Sequence, residues 1–305
     1  MATEPAIAAM EVARPHPYGV LADYWALTKP EVNVLIVITT LAGFYLGYPA
    51  QSHRLPFVLL AHTMMGTLLV ASGAGTLNQY VERHFDARMR RTVCRPLPSG
   101  RVEPAAALRF GFILSLTGAT YLAVAVNALA TMLAVLTLAA YLFLYTPLKR
   151  ITPLCTLVGA FPGAMPPLIG WAAAAGKLNL DACVLYAMIF LWQFPHFMAI
   201  AWMYREDYDR GGYLVLPSGE RRGRFMAWQT VMPLLTLVPL SLTPTLLGHA
   251  GLVYLIGALI LSAGFLYSGV QLVLRRSNLN ARRLLFASII YLPLAFVLMV
   301  LYKGW

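Results

Sequence analysis

Asn78, Glu82 and Asp86 stand four residues apart at the end of a long apolar run, and Arg83, Arg88, Arg90, Arg91 and Arg95 crowd the same stretch. Four residues of α-helix turn about 400°, so successive members drift only about 40° and the three share one face. An amide and two carboxylates on one face offer hard oxygen donors, and guanidinium groups beside them match phosphate oxygens. That combination suits Mg²⁺ holding a diphosphate. The chain has twelve carboxylates, and seven of them fall in two short regions, 82–103 and 206–220. The second region carries Glu206, Asp207 and Asp209. Two facing acidic clusters can hold Mg²⁺ by a few carboxylates, with phosphate oxygens and water completing the shell. The alternative is ordinary solvated loop charge balanced by neighbouring arginines. A third element, Tyr145-Thr-Pro-Leu-Lys149-Arg150, reads either as a positive anchor or, with Arg91 and Arg95, as a set of cations that neutralises a departing diphosphate.

The elements that position these groups span a membrane. The chain is 59% hydrophobic and 11% charged over 305 residues, with mean hydropathy +0.68, whereas soluble domains carry roughly 25% charged residues. Nine apolar runs are long enough to cross a bilayer, at 32–48, 56–80, 105–126, 128–146, 153–175, 182–204, 226–247, 251–274 and 284–302. The expected fold is therefore an all-α integral membrane bundle. With the N-terminus cytoplasmic and the C-terminus outside, 20 of the 23 basic residues fall on the cytoplasmic side, leaving Arg54, Lys177 and Lys303 outside. The net charge of +11 is thus explained by topology and is no sign of a nucleic-acid partner. Residues 1–26 read as a short cytoplasmic tail without a targeting segment, and 27–305 as a single transmembrane domain.

Cys94, Cys155 and Cys183 lack metal-type spacing and read as unpaired. His62 lies inside the second span, where a neighbouring helix can satisfy it. His196 follows Pro195 within the sixth span and has two readings: a histidine satisfied by a neighbouring helix, or a haem ligand or acid/base beside a kink. Gly43-xxx-Gly47 and Gly159-xxx-Gly163 are small-residue spacings that let helices approach closely.

The Asn78, Glu82, Asp86 spacing resembles the first aspartate-rich motif of the UbiA-type intramembrane prenyltransferases, with Glu82 in place of the first aspartate. Further blocks are similar to the haem-farnesylating branch of that family, from about residue 22 to the last span. They include Thr28-Lys29-Pro30, Arg95-Pro96-Leu97-Pro98, Tyr145-Thr146, Leu148-Lys149-Arg150, Trp192-Gln193-x-Pro195-His196-Phe197 and Asp207-Tyr208. The resemblance implies a Mg²⁺-dependent farnesyl transfer from farnesyl diphosphate to haem B, giving haem O. It implies Asn78, Glu82, Asp86 and Asp207 as metal or diphosphate ligands, Lys149, Arg91, Arg95, Arg150 and Tyr145 against the diphosphate, and His196 against the haem. The lack of an organelle-targeting segment points to a bacterial inner membrane, the asymmetry of basic residues to a cytoplasmic active site, and the lipid bilayer is the surroundings; the sequence leaves open whether haem A synthase or oxidase assembly factors are partners.

A sibling enzyme prenylating an aromatic acid, quinone precursor or chlorin would keep the metal site, but Glu82 and the Trp192–Phe197 block favour haem. A secondary transporter would place charges at the midplane or repeat its binding elements, whereas here the carboxylates gather at one border. Where the family reads Gly-x-Pro-Met-Leu-Pro, this chain has Gly212-Tyr-Leu-Val-Leu-Pro217, and the missing proline predicts a looser loop. Gly211 also leaves the second motif without a carboxylate four residues after Asp207.

Overall fold

The computed structural model describes residues 19–49 and 55–303. Arg14, His16, His53, Arg54 and the first 18 residues of the tail lie outside the described residues. The described chain forms α1 (Gly19–Leu27), α2 (Pro30–Gly47), α3 (Phe57–Asp86), α4 (Pro104–Ala125) and α5 (Ala128–Ala139). A π-helical turn, Ala140–Tyr145, leads into the short α6 (Thr146–Leu148). Then follow α7 (Cys155–Gly163), α8 (Met165–Ala175), α9 (Leu180–Met203), α10 (Arg205–Gly211), α11 (Arg221–Leu246), α12 (Leu252–Leu274) and α13 (Asn278–Leu301). Among the described residues, nine helical segments are long and apolar enough to cross a bilayer, and each coincides with one of the nine runs read from the sequence.

Two details of these segments matter for the site. The second apolar run, read as ending at 80, continues as helix α3 to Asp86. The acidic row therefore sits on a spanning helix rather than in a loop. The split of 105–146 at Asn127 is a capped boundary: the Asn127 side chain accepts from Ala130 N at 2.8 Å and donates to Ala172 O at 2.9 Å. One amide thus caps α5 and joins it to α8.

Helix contacts pair α3 with α4, α2 with α8, and α9 with both α11 and α13. The α2–α8 contact needs glycine. A Cβ on Gly43 would lie 2.0 Å from Pro167 O, and one on Gly170 would lie 2.0 Å from Thr40 O. Both obstacles are backbone, so they cannot rotate away. Gly43→Ala is expected to destabilise the bundle by about 1–3 kcal/mol through overpacking, visible as a lower thermal midpoint in detergent; an unchanged midpoint would contradict this packing. Large apolar side chains such as Phe112, Ile113, Leu116 and Ile260 face outward, as a lipid-facing surface requires.

Residues 19–26, read above as part of a tail, form most of α1, which docks on the bundle. Asp23 is buried and pairs with Arg101 Nε at 2.9 Å, and Leu27 packs with Leu97, Val102 and Ala107. Gln79 fastens the end of this helix by donating to the carbonyls of Ala26 and Leu27 at 3.1 and 3.0 Å. The turn that follows delivers Lys29 to the acidic row.

Candidate active site

The four-residue spacing on α3 does what its periodicity predicts. Asn78, Glu82 and Asp86 are all buried, at 0, 6 and 1% exposure, while Val81 and His84 between them are exposed. Each buried oxygen donor faces a cation from a different part of the chain. Lys29 Nζ donates to Asn78 Oδ1 at 2.6 Å. Lys149 Nζ meets Glu82 Oε1 at 2.8 Å, and Arg95 Nη1 meets Asp86 Oδ2 at 2.7 Å. Burying a carboxylate at a helix end is costly unless it is paired and hydrogen-bonded, and both carboxylates of this row meet these two conditions, Glu82 through Lys149 and Asp86 through Arg95.

Local structure sets those partners in place. Lys29 is the one non-glycine described residue with positive φ, at 55°, immediately before Pro30 opens α2. A residue preceding proline is discouraged from right-handed helix, and this left-handed turn reverses the chain between α1 and α2. Burial, followed by the nearby Arg95 charge, pushes the Lys29 ammonium down to about 7. The π-helical turn delivers the second cation. After it, Thr146 Oγ1 donates to Tyr141 O at 2.8 Å and accepts from Asn78 Nδ2 at 3.0 Å. Lys149 follows, with its ammonium 4.5 Å from the Tyr145 ring centroid. Burial works to lower the Lys149 pKa, but the Glu82 carboxylate outweighs it and holds the ammonium well above the ordinary lysine value. Such π-turns recur at functional sites because one extra residue re-aims the side chains that follow. Arg95 is held by the turn after α3, where Thr92 Oγ1 donates to Asp86 O at 2.7 Å.

The second acidic cluster contributes one buried group. Asp207, on α10, accepts from the Arg90 backbone N–H at 3.2 Å and pairs with Arg210. Burial opposes its charge, but the hydrogen bonds from Arg210 and Arg90 keep its carboxyl below the usual value. The Arg90 contact joins the two acidic regions directly. Glu206 and Asp209 do not enter the site: their side chains are 76 and 59% exposed and pair loosely with Arg205 and Arg222, both at 3.8 Å. Arg91 lies over the rings of Tyr204 and Tyr208, at 4.9 and 5.5 Å from their centroids. Arg150 stacks on Phe85 at 4.5 Å rather than meeting a carboxylate.

The loop after α10 corrects one expectation. The Leu214 N–H, which a proline at this position would lack, donates to Lys149 O at 2.7 Å. Gly212 takes a left-handed turn with φ 72°, and the Tyr213 N–H returns to Tyr208 O at 2.9 Å. The loop is thus fastened to the basic element by a bond available to leucine and not to proline.

Deeper in the bundle, the Trp192–Phe197 block braces α9. Trp192 Nε1 donates to Ser288 O at 2.9 Å and Gln193 Nε2 to Ala160 O at 3.1 Å. His196 stacks on Trp192 at 4.7 Å between centroids, and its Nδ1 lies 2.8 Å from Ser288 Oγ. Helix α9 runs on through Pro195. His62, as expected of a histidine inside a span, meets a neighbouring helix, with Nδ1 2.6 Å from the Tyr121 hydroxyl. Cys94, Cys155 and Cys183 are free.

Sequence reasoning did not select Lys29, Thr146 or Tyr213 for this site. The signal for Lys29 was its place before proline at the mouth of the first span. Nothing local marks Thr146 or Tyr213.

Among the described residues, no three carboxylate, histidine or cysteine side chains converge on one point as ligands of a metal ion. The arrangement is a row of buried oxygen donors, each opposed by a cation. Such a row can receive an anion that draws the cations away, together with a hard metal ion that takes the oxygens.

The family model described as the UbiA prenyltransferase family matches residues 36–298. A protoheme IX farnesyltransferase of Solibacter usitatus is 50% identical over 287 residues, which covers 92% of this chain and 98% of that protein. A solved structure described as digeranylgeranylglyceryl phosphate synthase superposes with a TM-score of 0.75 at 19% identity, covering 92% of this chain and 98% of its own. A UbiA homolog from Archaeoglobus fulgidus bound to GPP and Mg²⁺ superposes with a TM-score of 0.61 at 13% identity, covering 91% and 99%. At such identities the two structures establish the shared helical fold.

Proposed function

This chain belongs to the UbiA prenyltransferase family, and from that membership we propose that it transfers a farnesyl group from farnesyl diphosphate to a vinyl group of haem B, with water addition, giving haem O and diphosphate. It is a multi-pass membrane prenyltransferase. The observation that carries prenyl transfer is the buried Asn78–Glu82–Asp86 row opposed by Lys29, Lys149 and Arg95, and the haem acceptor rests on the likeness to the Solibacter usitatus protoheme IX farnesyltransferase.

The residues fit Mg²⁺ by donor chemistry. Mg²⁺ usually keeps several waters and binds through one or two carboxylates plus substrate phosphates, not in a protein cage. Oxygen donors spread along one face suit that mode, and Asn78, Glu82, Asp86 and Asp207 would hold the ion. A hard divalent cation held by these residues would supply Lewis-acid stabilisation of the charge on the departing diphosphate. The A. fulgidus homolog, which shares this fold, is described as bound to GPP and Mg²⁺, which supports a prenyl diphosphate and Mg²⁺ as ligands here.

The chain's own residues do the rest. Lys149 and Arg95, paired with Glu82 and Asp86, and Lys29, held on the Asn78 amide, turn toward the diphosphate, where a low-dielectric border makes each charge count for more than it would in water. Arg91 and Arg150, already held on aromatic rings, close around the outer phosphate, and Tyr145 backs Lys149. As the allylic C–O bond breaks, its electron pair stays on the diphosphate and the farnesyl cation meets the vinyl carbon. Water then adds to the resulting cation and a proton leaves. Apolar helix faces around the isoprenoid keep water from the first cation until the carbon bond forms. His196 would meet the haem through Nε2, since Nδ1 is engaged with Ser288.

The distribution of basic residues supports a cytoplasmic acidic end; the bacterial inner membrane, and haem A synthase or oxidase assembly factors as receivers of the product, are part of the same proposal. The test uses the purified full chain with haem B, farnesyl diphosphate and Mg²⁺, and mass analysis for haem O. Absence of haem O, with a prenylated product formed from an aromatic acid, would move the acceptor to the sibling enzymes.

A further inference from the structure

Tyr213 is only 4% exposed, and its hydroxyl lies against the Glu82 carboxylate without a hydrogen bond of good geometry. Its surroundings are those of the site. The ring packs near Phe85 at 5.9 Å and edge-on to Tyr208 at 6.1 Å, and the Lys149 ammonium lies 5.9 Å from the ring centroid. The backbone is fixed on both sides, by the Tyr213 N–H on Tyr208 O and the Leu214 N–H on Lys149 O. The Tyr213 hydroxyl is therefore a rigidly mounted donor beside the cation that pairs with Glu82.

We propose that the Tyr213 hydroxyl donates a hydrogen bond to a non-bridging oxygen of the diphosphate, so that it is a catalytic residue of the transfer. The proposal rests on the prenyl-transfer reading above. A phenol keeps its proton at neutral pH and so remains a donor. The donor keeps its proton throughout. When the allylic C–O bond breaks, the electron pair passes to the diphosphate oxygen and the hydrogen bond strengthens as that charge develops. An interaction stronger in the transition state than in the ground state acts on kcat more than on KM.

Tyr213→Phe tests this, because it keeps the ring packing and removes only the donor. The expected result is a kcat lower by about tenfold or more, a smaller change in the KM for farnesyl diphosphate, and an unchanged or higher thermal midpoint. Inorganic pyrophosphate with Mg²⁺, titrated calorimetrically without haem, should bind the variant more weakly than the wild type. A purely structural Tyr213 would show a lower midpoint with wild-type kcat and pyrophosphate affinity, which would overturn the proposal. Wild-type protein is assayed in parallel. If it forms no haem O, the reading of the reaction fails, while the pyrophosphate titration still decides the role of Tyr213.

Discussion

Asp86→Ala is expected to lower haem O formation by roughly 10²–10³-fold, the loss typical of removing one preorganised electrostatic group from a site, while leaving the bundle folded. The two outcomes separate because of where the residue sits. Its side chain is 2% exposed and holds Arg95 Nη1 at 2.7 Å, but Arg95 itself is 31% exposed. With the carboxylate gone, the guanidinium can turn to water, so the lost pair costs at most about 1 kcal/mol. The site loses a metal oxygen and the group that aims Arg95. Asp86→Asn sharpens the test, since the amide can still accept from Arg95 but carries no charge to hold Mg²⁺. If Asp86 serves the metal, the amide variant should fail nearly as badly as alanine and should recover in part at raised Mg²⁺. Wild-type product yields from Asp86→Ala, followed by mass analysis, would remove this face of α3 from the chemistry.

Much of this site can be read from sequence, and the reason lies in range. The Asn78, Glu82 and Asp86 row is legible because one helix repeats its face every four residues; that this face is the buried one is a finding of the fold. The break at Asn127 is legible for the same reason, a capping residue between two apolar runs. Contacts that join distant segments are not. Lys29 reaches Asn78 across 49 residues, through a left-handed turn that no periodicity announces. The π-helical turn at Ala140–Tyr145 is equally silent, because its sequence is apolar throughout and only the re-aimed Thr146 and Lys149 betray it. Helix α1 reads as tail because everything that docks it is distant in sequence: Arg101 on Asp23, Gln79 on the Ala26 and Leu27 carbonyls, and the cluster around Leu27. In the second acidic cluster, sequence marks three neighbouring carboxylates alike. Only the fold selects Asp207, by placing the Arg90 N–H against it and leaving Glu206 and Asp209 in solvent.

Lys149→Met should damage both stability and turnover, and a second substitution can separate the two. The Lys149 and Glu82 side chains are 15 and 8% exposed and meet at 2.8 Å. Removing the ammonium strands a buried carboxylate, a change that costs about 3–5 kcal/mol when one partner of a buried pair is deleted. The thermal midpoint should therefore fall, and haem O formation should fall with it. Adding Glu82→Gln removes the stranded charge. The double variant should regain much of the lost midpoint, because the two sites touch and their effects are not additive. It should regain no activity, since it lacks both a cation for the diphosphate and an oxygen charge for the metal. Lys149→Arg gives a third comparison: the charge is kept, but a planar fork replaces a point donor over the Tyr145 ring. That variant should be stable and slower than wild type. Recovery of turnover in the Lys149→Met, Glu82→Gln protein would mean that the pair only holds the helices together, and the leaving group would then have to be stabilised by the other basic groups, Arg95, Lys29, Arg91 and Arg150.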